Sequence, residues 1–177
     1  MSSEDSNIYS ATRLTADALG KPGNRVFYIQ FAEHDLVMTF VLEKGQLASL
    51  AGGIEQLIAG IADRYPELPT AVAQYTPDEM RILPPVDPAF RVGEISLSYD
   101  PEVDLAGLHL KELLFGNSPE EEEMRSVSVM CSRDQLLSFA RWSTSVIAQG
   151  RQICPQCGEP MDPAGHFCPK KNGHKKA

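Results

Sequence analysis

The feature that most constrains the fold of this chain is a cluster of cysteines and histidines near its C-terminal end. Cys154-Pro-Gln-Cys157-Gly is a turn in which two thiolates can bind one side of a metal ion, and His166-Phe-Cys168 follows about ten residues later. Residues two apart on an extended segment point the same way, so both can reach one ion. We therefore predict a Zn²⁺ site with a Cys₃His ligand set. His174 is an alternative fourth ligand, because it also follows Cys168 at a workable spacing.

The predicted zinc is structural rather than catalytic, because four protein ligands leave no open position for water or substrate. The segment around it is short and poor in apolar residues, so metal affinity would supply its folding energy. The alternative is that Cys154 and Cys157 are a redox pair. Such pairs usually lie where a strand meets a helix, whereas this one lies in a Pro/Gly-rich segment after the last predicted helix.

Composition indicates one compact domain with a small appendage, because 177 residues that are 42% hydrophobic can fill a core. The first residues are polar and acidic, without the basic start and apolar run of a secretory signal. No stretch approaches the ~18 apolar residues of a membrane span, which predicts no membrane partner. Three clustered cysteines and the lone Cys131 indicate metal ligation in a reducing cytoplasm rather than a disulfide framework.

Charge is distributed unevenly along the chain. The net charge is −8, so the bulk of the protein is poorly suited to bind a nucleic-acid backbone. The end is locally basic, and residues 166–177 are either a small nucleic-acid contact or a solvated terminus. The acidic segment 118–123 is either a partner patch or a solvated loop. The basic residues of the end are Lys170, Lys171, Lys175 and Lys176.

Hydrophobic periodicity predicts an α+β fold, in which an antiparallel sheet carries two helices on one face and the order βββα occurs twice. Tyr65-Pro66 ends the first helix, and the capping box of Ser132 and Gln135 opens the second. The predicted strands are 8–19 at an edge, 25–31 and 36–42 as a central hairpin, 90–99, 105–115 and 126–131, and the predicted helices are 44–65 and 133–148.

Two parts are predicted along the chain. Residues 1–150, here called the body, form the α+β domain, and residues 151–177, here called the tail, hold the zinc site. The body divides into possible halves at 8–65 and 88–150. Between them, 66–88 holds six prolines in twenty-three residues and is expected to be a semi-rigid connector crossing the surface, with a short helical turn near Pro77.

Four segments spread over almost the whole chain carry a family resemblance. They are Lys21-Pro-Gly-Asn-Arg25, Leu42-Glu-Lys44, Pro84-Pro85-Val-Asp-Pro88-Ala-Phe90-Arg91-Val92-Gly93-Glu94 and the Cys-Pro-x-Cys-Gly…Gly-His-x-Cys-Pro-x-x-Asn-Gly-His ending. Together these segments resemble the bacterial domain of unknown function 3090. The resemblance implies a soluble cytoplasmic protein with a C-terminal metal site. It also favours His166 over His174 as the fourth ligand, because the last residue of the Asn-Gly-His run can be aromatic in related sequences.

The sequence contains no phosphate-binding glycine loop, nucleophile elbow or His-Glu-x-x-His motif. Cys131, just before a helix start, is either a reactive thiolate or an ordinary inward strand residue. His109 lies on the polar side of a strand without a sequence partner, and it is expected to be solvent-exposed. Among the remaining polar residues, Arg91, Glu94 and Tyr99 are the candidate ligand-binding set.

These observations favour a non-enzymatic interaction or adaptor protein, with protein partners and a structural Zn²⁺ site, and they do not decide whether it is an enzyme. The first alternative is a small-ligand-binding protein or enzyme with a pocket near Pro84–Glu94. The second is a nucleic-acid contact through the basic tail.

Overall fold

The computed structural model of this chain is an α+β fold with one seven-stranded sheet and two long helices. It describes residues 7–115, 124–162 and 165–172, so the acidic segment 118–123, His174, Lys175 and Lys176 lie outside the described residues. The elements are β1 (Asn7–Ser10), β2 (Arg13–Lys21), β3 (Asn24–Glu33), β4 (Leu36–Leu42), α1 (Lys44–Arg64), β5 (Pro88–Asp100), β6 (Leu105–Glu112), β7 (Ser126–Cys131), α2 (Arg133–Ala148) and α3 (Pro169–Asn172).

The sheet is mixed, with the strand order β1-β7-β6-β5-β4-β3-β2. The expected hairpin β3–β4 and the expected meander β5–β6–β7 are both confirmed as antiparallel pairings. Two pairings are parallel, β4 with β5 and β1 with β7, where we expected an antiparallel sheet. The first follows from α1 and the connector, which carry the chain back across the sheet before β5 begins, as a parallel crossover requires.

The N-terminal segment differs from the single edge strand that we expected at 8–19. It forms two strands, β1 and β2, which lie at opposite ends of the strand order. At the junction the Ala11 amide donates to the Met130 carbonyl at 2.8 Å, and the Thr12 amide donates to the Ala32 carbonyl at 2.8 Å. Two residues span only ~10 Å. The two edges of the sheet therefore come together here, and the sheet curls round toward closure.

The core lies on the inner face of this curled sheet, beneath the helices. Phe31, Phe40 and Phe139, from β3, β4 and α2, have no exposed surface. The ring of Phe31 stacks on Phe40 at 6.0 Å and lies 5.2 Å from the ring of Tyr9 on β1. An aromatic contact thus joins the N-terminal strand β1 to β3, five places away in the order, which is only possible because the sheet curls.

Both helices begin and end close to the predicted residues. The Gln46 side chain accepts the Glu43 amide at the start of α1, and the expected capping box is confirmed at α2, where Ser132 accepts the Gln135 amide at 3.1 Å. The indole of Trp142, which is buried, donates to a β2 carbonyl at 2.6 Å. None of the helices in the described part of the chain is long and apolar enough to cross a membrane.

The connector, residues 66–88, is hydrogen-bonded to the sheet. Between α1 and β5 it has turns rather than helix, and near Pro77 it makes a turn only. It packs against the outer face of β2 and β3: the buried carboxylate of Asp17 binds Arg81 at 3.0 Å, and the fully buried Gln30 accepts the Leu83 amide at 2.8 Å. One end of the sheet is therefore covered on both faces. The structural equivalence of the two halves and the division into body and tail stay predictions.

Candidate metal centre

The first arm of the candidate metal centre is the turn that carries Cys154 and Cys157. The Gly158 amide donates to the Cys154 carbonyl at 2.9 Å, and the Cys154 amide donates to the Glu159 carbonyl at 2.8 Å. Gly158 has a φ of +77°, which residues with a Cβ rarely adopt. The glycine after the second cysteine therefore lets the chain fold back while both thiols stay on the same side.

The second arm carries His166 and Cys168. It follows a reversal in which the Gly165 amide donates to the Asp162 carbonyl at 3.0 Å, with Gly165 at a φ of +139°. The short helix α3 begins directly after Cys168. Two glycine-dependent turns thus bring two short arms together, and each arm supplies two side chains.

The four side chains converge on one point. The Sγ atoms of Cys154 and Cys168 are 3.8 Å apart, and Cys157 Sγ lies 3.2 Å from His166 Nε2. All four donor atoms lie within 4.8 Å of one another. Four ligands at Zn–S bonds of about 2.3 Å in a tetrahedron put two sulfurs about 3.8 Å apart. The cluster could therefore hold a metal ion with little rearrangement.

The electrostatics of the first arm favour a thiolate. Hydrogen bonds from the backbone amides of Cys157 and Gln156 lower the pKa of Cys154 to about 6. For Cys157, a backbone hydrogen bond from Glu159 lowers the pKa, but burial and the neighbouring thiols of Cys154 and Cys168 outweigh it, so the net shift is upward. Cys154 therefore forms a thiolate readily, and its negative charge opposes ionisation of Cys157. A bound cation would neutralise both thiolates and so favour both.

The His166 ring is part of the cluster, whereas the alternative ligand His174 lies outside the described residues. Cys154 and Cys168 are buried, and Cys157 and His166 are half-buried. The choice of His166 as the fourth ligand stays a prediction. With His166 included, the cluster has four donor atoms.

Exposed residues surround the cluster. Phe167, between two cluster residues, is 75% exposed, and Lys170 is also exposed. The side chain of Lys171, and all of Lys175 and Lys176, lie outside the described part of the chain. The expected basic face of the tail therefore stays a prediction.

The candidate ligand-binding set does not come together. Arg91 binds Glu43 at 2.6 Å, at the start of α1, and Glu94 lies 3.7 Å from Lys111 on the neighbouring strand. Each charge is thus satisfied by a different partner, and Tyr99 lies further along β5. A role for the three residues in ligand binding stays a prediction that this arrangement does not favour.

Tyr99 belongs to a structural clamp instead. Its hydroxyl donates to Asp104 at 2.8 Å, and the buried guanidinium of Arg133 binds both oxygens of the same carboxylate, at 2.6 and 2.9 Å. Arg133 also donates to the carbonyl of Pro69 in the connector. The Arg133 hydrogen bonds lower the pKa of Asp104. The clamp joins the β5–β6 turn, α2 and the connector.

A groove of about 480 Å³ lies between α1 and β5, next to the predicted pocket segment. The side chain of Gln46 is already engaged, because its amide donates to the carbonyls of Val92 and Gly93. A Cβ added at Gly53 would sit 3.7 Å from Leu97, an ordinary contact. The remaining polar side chains of the groove are the uncharged Ser49 and Ser96, and neither Arg91 nor Glu94 lines it.

Cys131 is an inward-facing strand residue. It is almost fully buried at the end of β7, and desolvation raises its pKa to about 12. The thiol is therefore protonated at neutral pH, and a reactive thiolate is not supported.

One polar constellation was missed from the sequence. His109 is not free in solvent: its Nε2 lies 2.7 Å from Ser98 Oγ on β5, and its Nδ1 lies 2.8 Å from Ser128 Oγ on β7. The three residues lie far apart along the chain and meet across three strands. Only the pairing register of β5, β6 and β7, combined with alternation, could have indicated this from the sequence.

The fold and the cluster define an α+β protein with a Cys/His site near its C-terminal end that could hold a metal ion. More particularly, the chain belongs to the family described as a protein of unknown function (DUF3090), whose model matches residues 7–168. The match covers the sheet, both long helices and all four cluster residues. Neither a curated protein nor a solved structure matches the chain.

Proposed function

We propose that this protein binds Zn²⁺ at Cys154, Cys157, His166 and Cys168, and that the ion is structural. The observation that carries the proposal is the convergence of four donor atoms within 4.8 Å, including a pair of sulfurs 3.8 Å apart. Three thiolates and an imidazole suit zinc better than the hard cations Mg²⁺ or Ca²⁺, which prefer oxygen ligands. Four protein ligands complete the tetrahedron and leave no site for a reacting group.

We further propose that the zinc-bound tail contacts a protein partner, so that the protein acts as an adaptor. Ile153 on the first arm is 59% exposed, and Phe167 on the second is 75% exposed. An apolar side chain on each arm of a small rigid knuckle is a typical anchor for a protein interface. The net charge of −8 argues against a nucleic-acid partner for the body, so a nucleic-acid contact through the tail is the weaker alternative.

The cellular location that fits this proposal is a reducing cytoplasm. All four cysteines are free thiols, and the Sγ atoms of Cys154 and Cys168 lie 3.8 Å apart, well beyond the ~2.05 Å of a disulfide. An oxidising compartment would favour a Cys154–Cys168 disulfide over metal binding.

Metal analysis of the purified full chain tests the zinc site. We expect about one zinc ion per chain, and Cys154→Ser should lose most of it. Cys131→Ser is the matched control, because Cys131 lies outside the cluster and should not affect zinc content. Full zinc content in Cys154→Ser would show that the ligand set is wrong.

The partner is tested by affinity capture from nuclease-treated native extract. A partner bound through the tail should be retained by wild type and lost by Phe167→Ser, while Phe115→Ser, equally exposed on the body, should retain it. If both variants capture the same proteins as wild type, the tail is a structural clasp. In that case the groove between α1 and β5 becomes the place to search for ligands.

The division of the chain into body and tail is also a proposal. It is supported by the separate arms of the cluster, which hydrogen-bond mainly to each other. A chain ending at Gly150 should unfold cooperatively with near-native secondary structure. A collapse of the circular dichroism signal in that shortened chain would show that the tail is part of the core.

A further inference from the structure

The outer face of β5, β6 and β7 carries a hydrogen-bonded line of three side chains. His109 lies in the middle on β6, bound at Nε2 to Ser98 Oγ at 2.7 Å and at Nδ1 to Ser128 Oγ at 2.8 Å. Both ring nitrogens are therefore engaged by hydroxyls. A neutral imidazole has one N–H and one lone pair, so one serine donates its proton to the ring while the other accepts.

The three residues differ in exposure. Ser98 is exposed, His109 is half-buried and Ser128 is 9% exposed. A molecule arriving from solvent therefore meets the Ser98 hydroxyl first, with the imidazole behind it. Ser128, on the opposite side of the ring from Ser98, is placed to accept the Nδ1 proton and hold the ring in one orientation, which leaves Nε2 as the proton acceptor for Ser98.

Gly107 makes this arrangement possible. It pairs with Ser98 across β5 and β6, two residues before His109 on the same face. A Cβ added at Gly107 would lie 2.4 Å from Ser98 Oγ and 2.8 Å from His109 Nε2. The glycine thus leaves the space in which the serine and the imidazole meet. A strand interior otherwise disfavours glycine, which often marks such a close approach.

We propose that Ser98 is a nucleophile activated by His109 as general base, with Ser128 as the positioning residue, and that the site transfers acyl groups from small activated esters. The order is that of nucleophile, base and orienting group in serine hydrolases, here built on the outer face of the sheet. A serine orients an imidazole more weakly than a carboxylate does, since it supplies no charge to stabilise the imidazolium.

In the reaction, Ser98 Oγ forms a bond to the ester carbonyl carbon as its proton moves to His109 Nε2. The C–O bond to the leaving alcohol then breaks, and His109 returns the proton to that alcohol. Water attacks the acyl-serine in the same way, which releases the acid and restores Ser98. The backbone amides of a strand lie in the plane of the sheet rather than above its outer face, so the oxyanion is met by water. This limits the substrates to esters with good leaving groups.

The test uses the full-length chain and two probes, an alkyl fluorophosphonate and 4-nitrophenyl acetate. The fluorophosphonate should add one phosphonyl group as the Ser98 O–P bond forms, the P–F bond breaks and fluoride leaves. Peptide mapping should place that group on Ser98. Ester hydrolysis and labelling should both fall about 100-fold or more in Ser98→Ala and in His109→Gln, in line with the typical contribution of a general base.

Ser96→Ala is the matched control. Ser96 is exposed on the same strand and face, two residues from Ser98. The Ser96→Ala variant should be labelled, and should hydrolyse the ester, at the wild-type rate. Ser128→Ala should react several-fold more slowly than wild type, whereas Ser128→Thr, which keeps the hydroxyl, should restore the rate. A merely structural role of Ser128 would change the thermal midpoint without this rescue.

Gly107→Ala provides a variant that keeps all three reacting residues. The added Cβ pushes apart the mobile ends of Ser98 and His109, so labelling should drop while the chain stays folded by circular dichroism. The proposal is overturned if Ser98 in the folded wild type labels no faster than Ser96, or if folded His109→Gln and Gly107→Ala label at the wild-type rate.

Discussion

The body and the tail differ in what stabilises each of them. In the body, one continuous core of aromatic and aliphatic side chains lies between the curled sheet and the helices. Among the described residues of the tail, the buried ones are Cys154 and Cys168, while Ile153 and Phe167 point outward. Apolar burial can stabilise the first region but not the second. We therefore propose that the body folds by itself, whereas the order of the tail depends on a bound ion.

Removing the metal should have the largest effect, and it should be confined to the tail. Structural zinc contributes about 10–16 kcal/mol in small zinc-binding peptides, because the site does not exist in the unfolded segment. Chelation of the ion, or Cys168→Ser, should make residues 151–172 exchange their amide hydrogens rapidly. Hydrogen exchange measured by mass spectrometry should show the body unchanged. If the amide hydrogens of the tail stay protected from exchange after complete metal removal, the tail does not depend on the ion for its order.

A cavity in the core should destabilise the body and leave the metal site of the tail unchanged. Phe40 is fully buried and contacts aromatic rings on two neighbouring strands, so Phe40→Ala should cost about 3–5 kcal/mol of unfolding free energy. Urea unfolding followed by circular dichroism measures the loss, and zinc content should stay at the wild-type value. Phe115→Ala, at an exposed position, is the control and should change stability by less than ~0.5 kcal/mol. A comparable loss there would mean that Phe115 is covered.

The clamp of Arg133 on Asp104 should contribute less than the core. Arg133→Met should cost about 1.5–3 kcal/mol, the usual contribution of hydrogen bonds to a charged group. Arg141→Met, which removes an exposed ion pair with Glu55, should cost less than ~1 kcal/mol. Urea unfolding of both variants at neutral pH makes the comparison, and equal losses would contradict the special role of Arg133.

The same clamp makes a pH prediction. Because Arg133 lowers the pKa of Asp104 in the folded state, the unfolded chain binds the proton more readily. The stabilisation is present above the unfolded pKa of about 4 and is lost as the pH falls through the lower folded pKa. Arg133→Met should therefore flatten the loss of stability on the acid side. Stability curves measured from pH 6 to pH 2 test this, and parallel curves would contradict it.

The smallest predicted effect is at the start of α2. Ser132→Ala removes the side-chain acceptor for the Gln135 amide and should cost about 1 kcal/mol, whereas Ser132→Asn, another good N-cap residue, should be nearly neutral. Thermal unfolding of the two variants measures the difference. Zinc content should not change in either, which separates the effect from the tail.

The parts of the molecule that the sequence predicted well depend on neighbours along the chain. Cys154 and Cys157 are three residues apart, and the glycine-dependent turn that joins them is visible in the sequence. The same holds for the capping box at Ser132 and for the hairpin β3–β4, whose turn is only two residues long. In each case the partners are fixed by spacing, before any tertiary contact forms.

The errors depend on contacts between distant segments. Alternation predicted a strand at 8–19 but could not show that its first part pairs with β7 and its second with β3. His109 was taken as isolated because Ser98 and Ser128 become its neighbours only through the register of three strands. Register is a property of the assembled sheet, and local patterning does not determine it.

The position of β1 has a consequence for the way the chain is made. Asn7–Ser10 pair with β7, about 120 residues further along the chain, and the Ala11 amide donates to the Met130 carbonyl of the same strand. A ribosome thus synthesises these residues long before their partner strand. Contacts of such long sequence separation are slow to form. We therefore expect closure of the sheet to be a late event in folding, because β1 has no β7 to pair with until that strand has emerged.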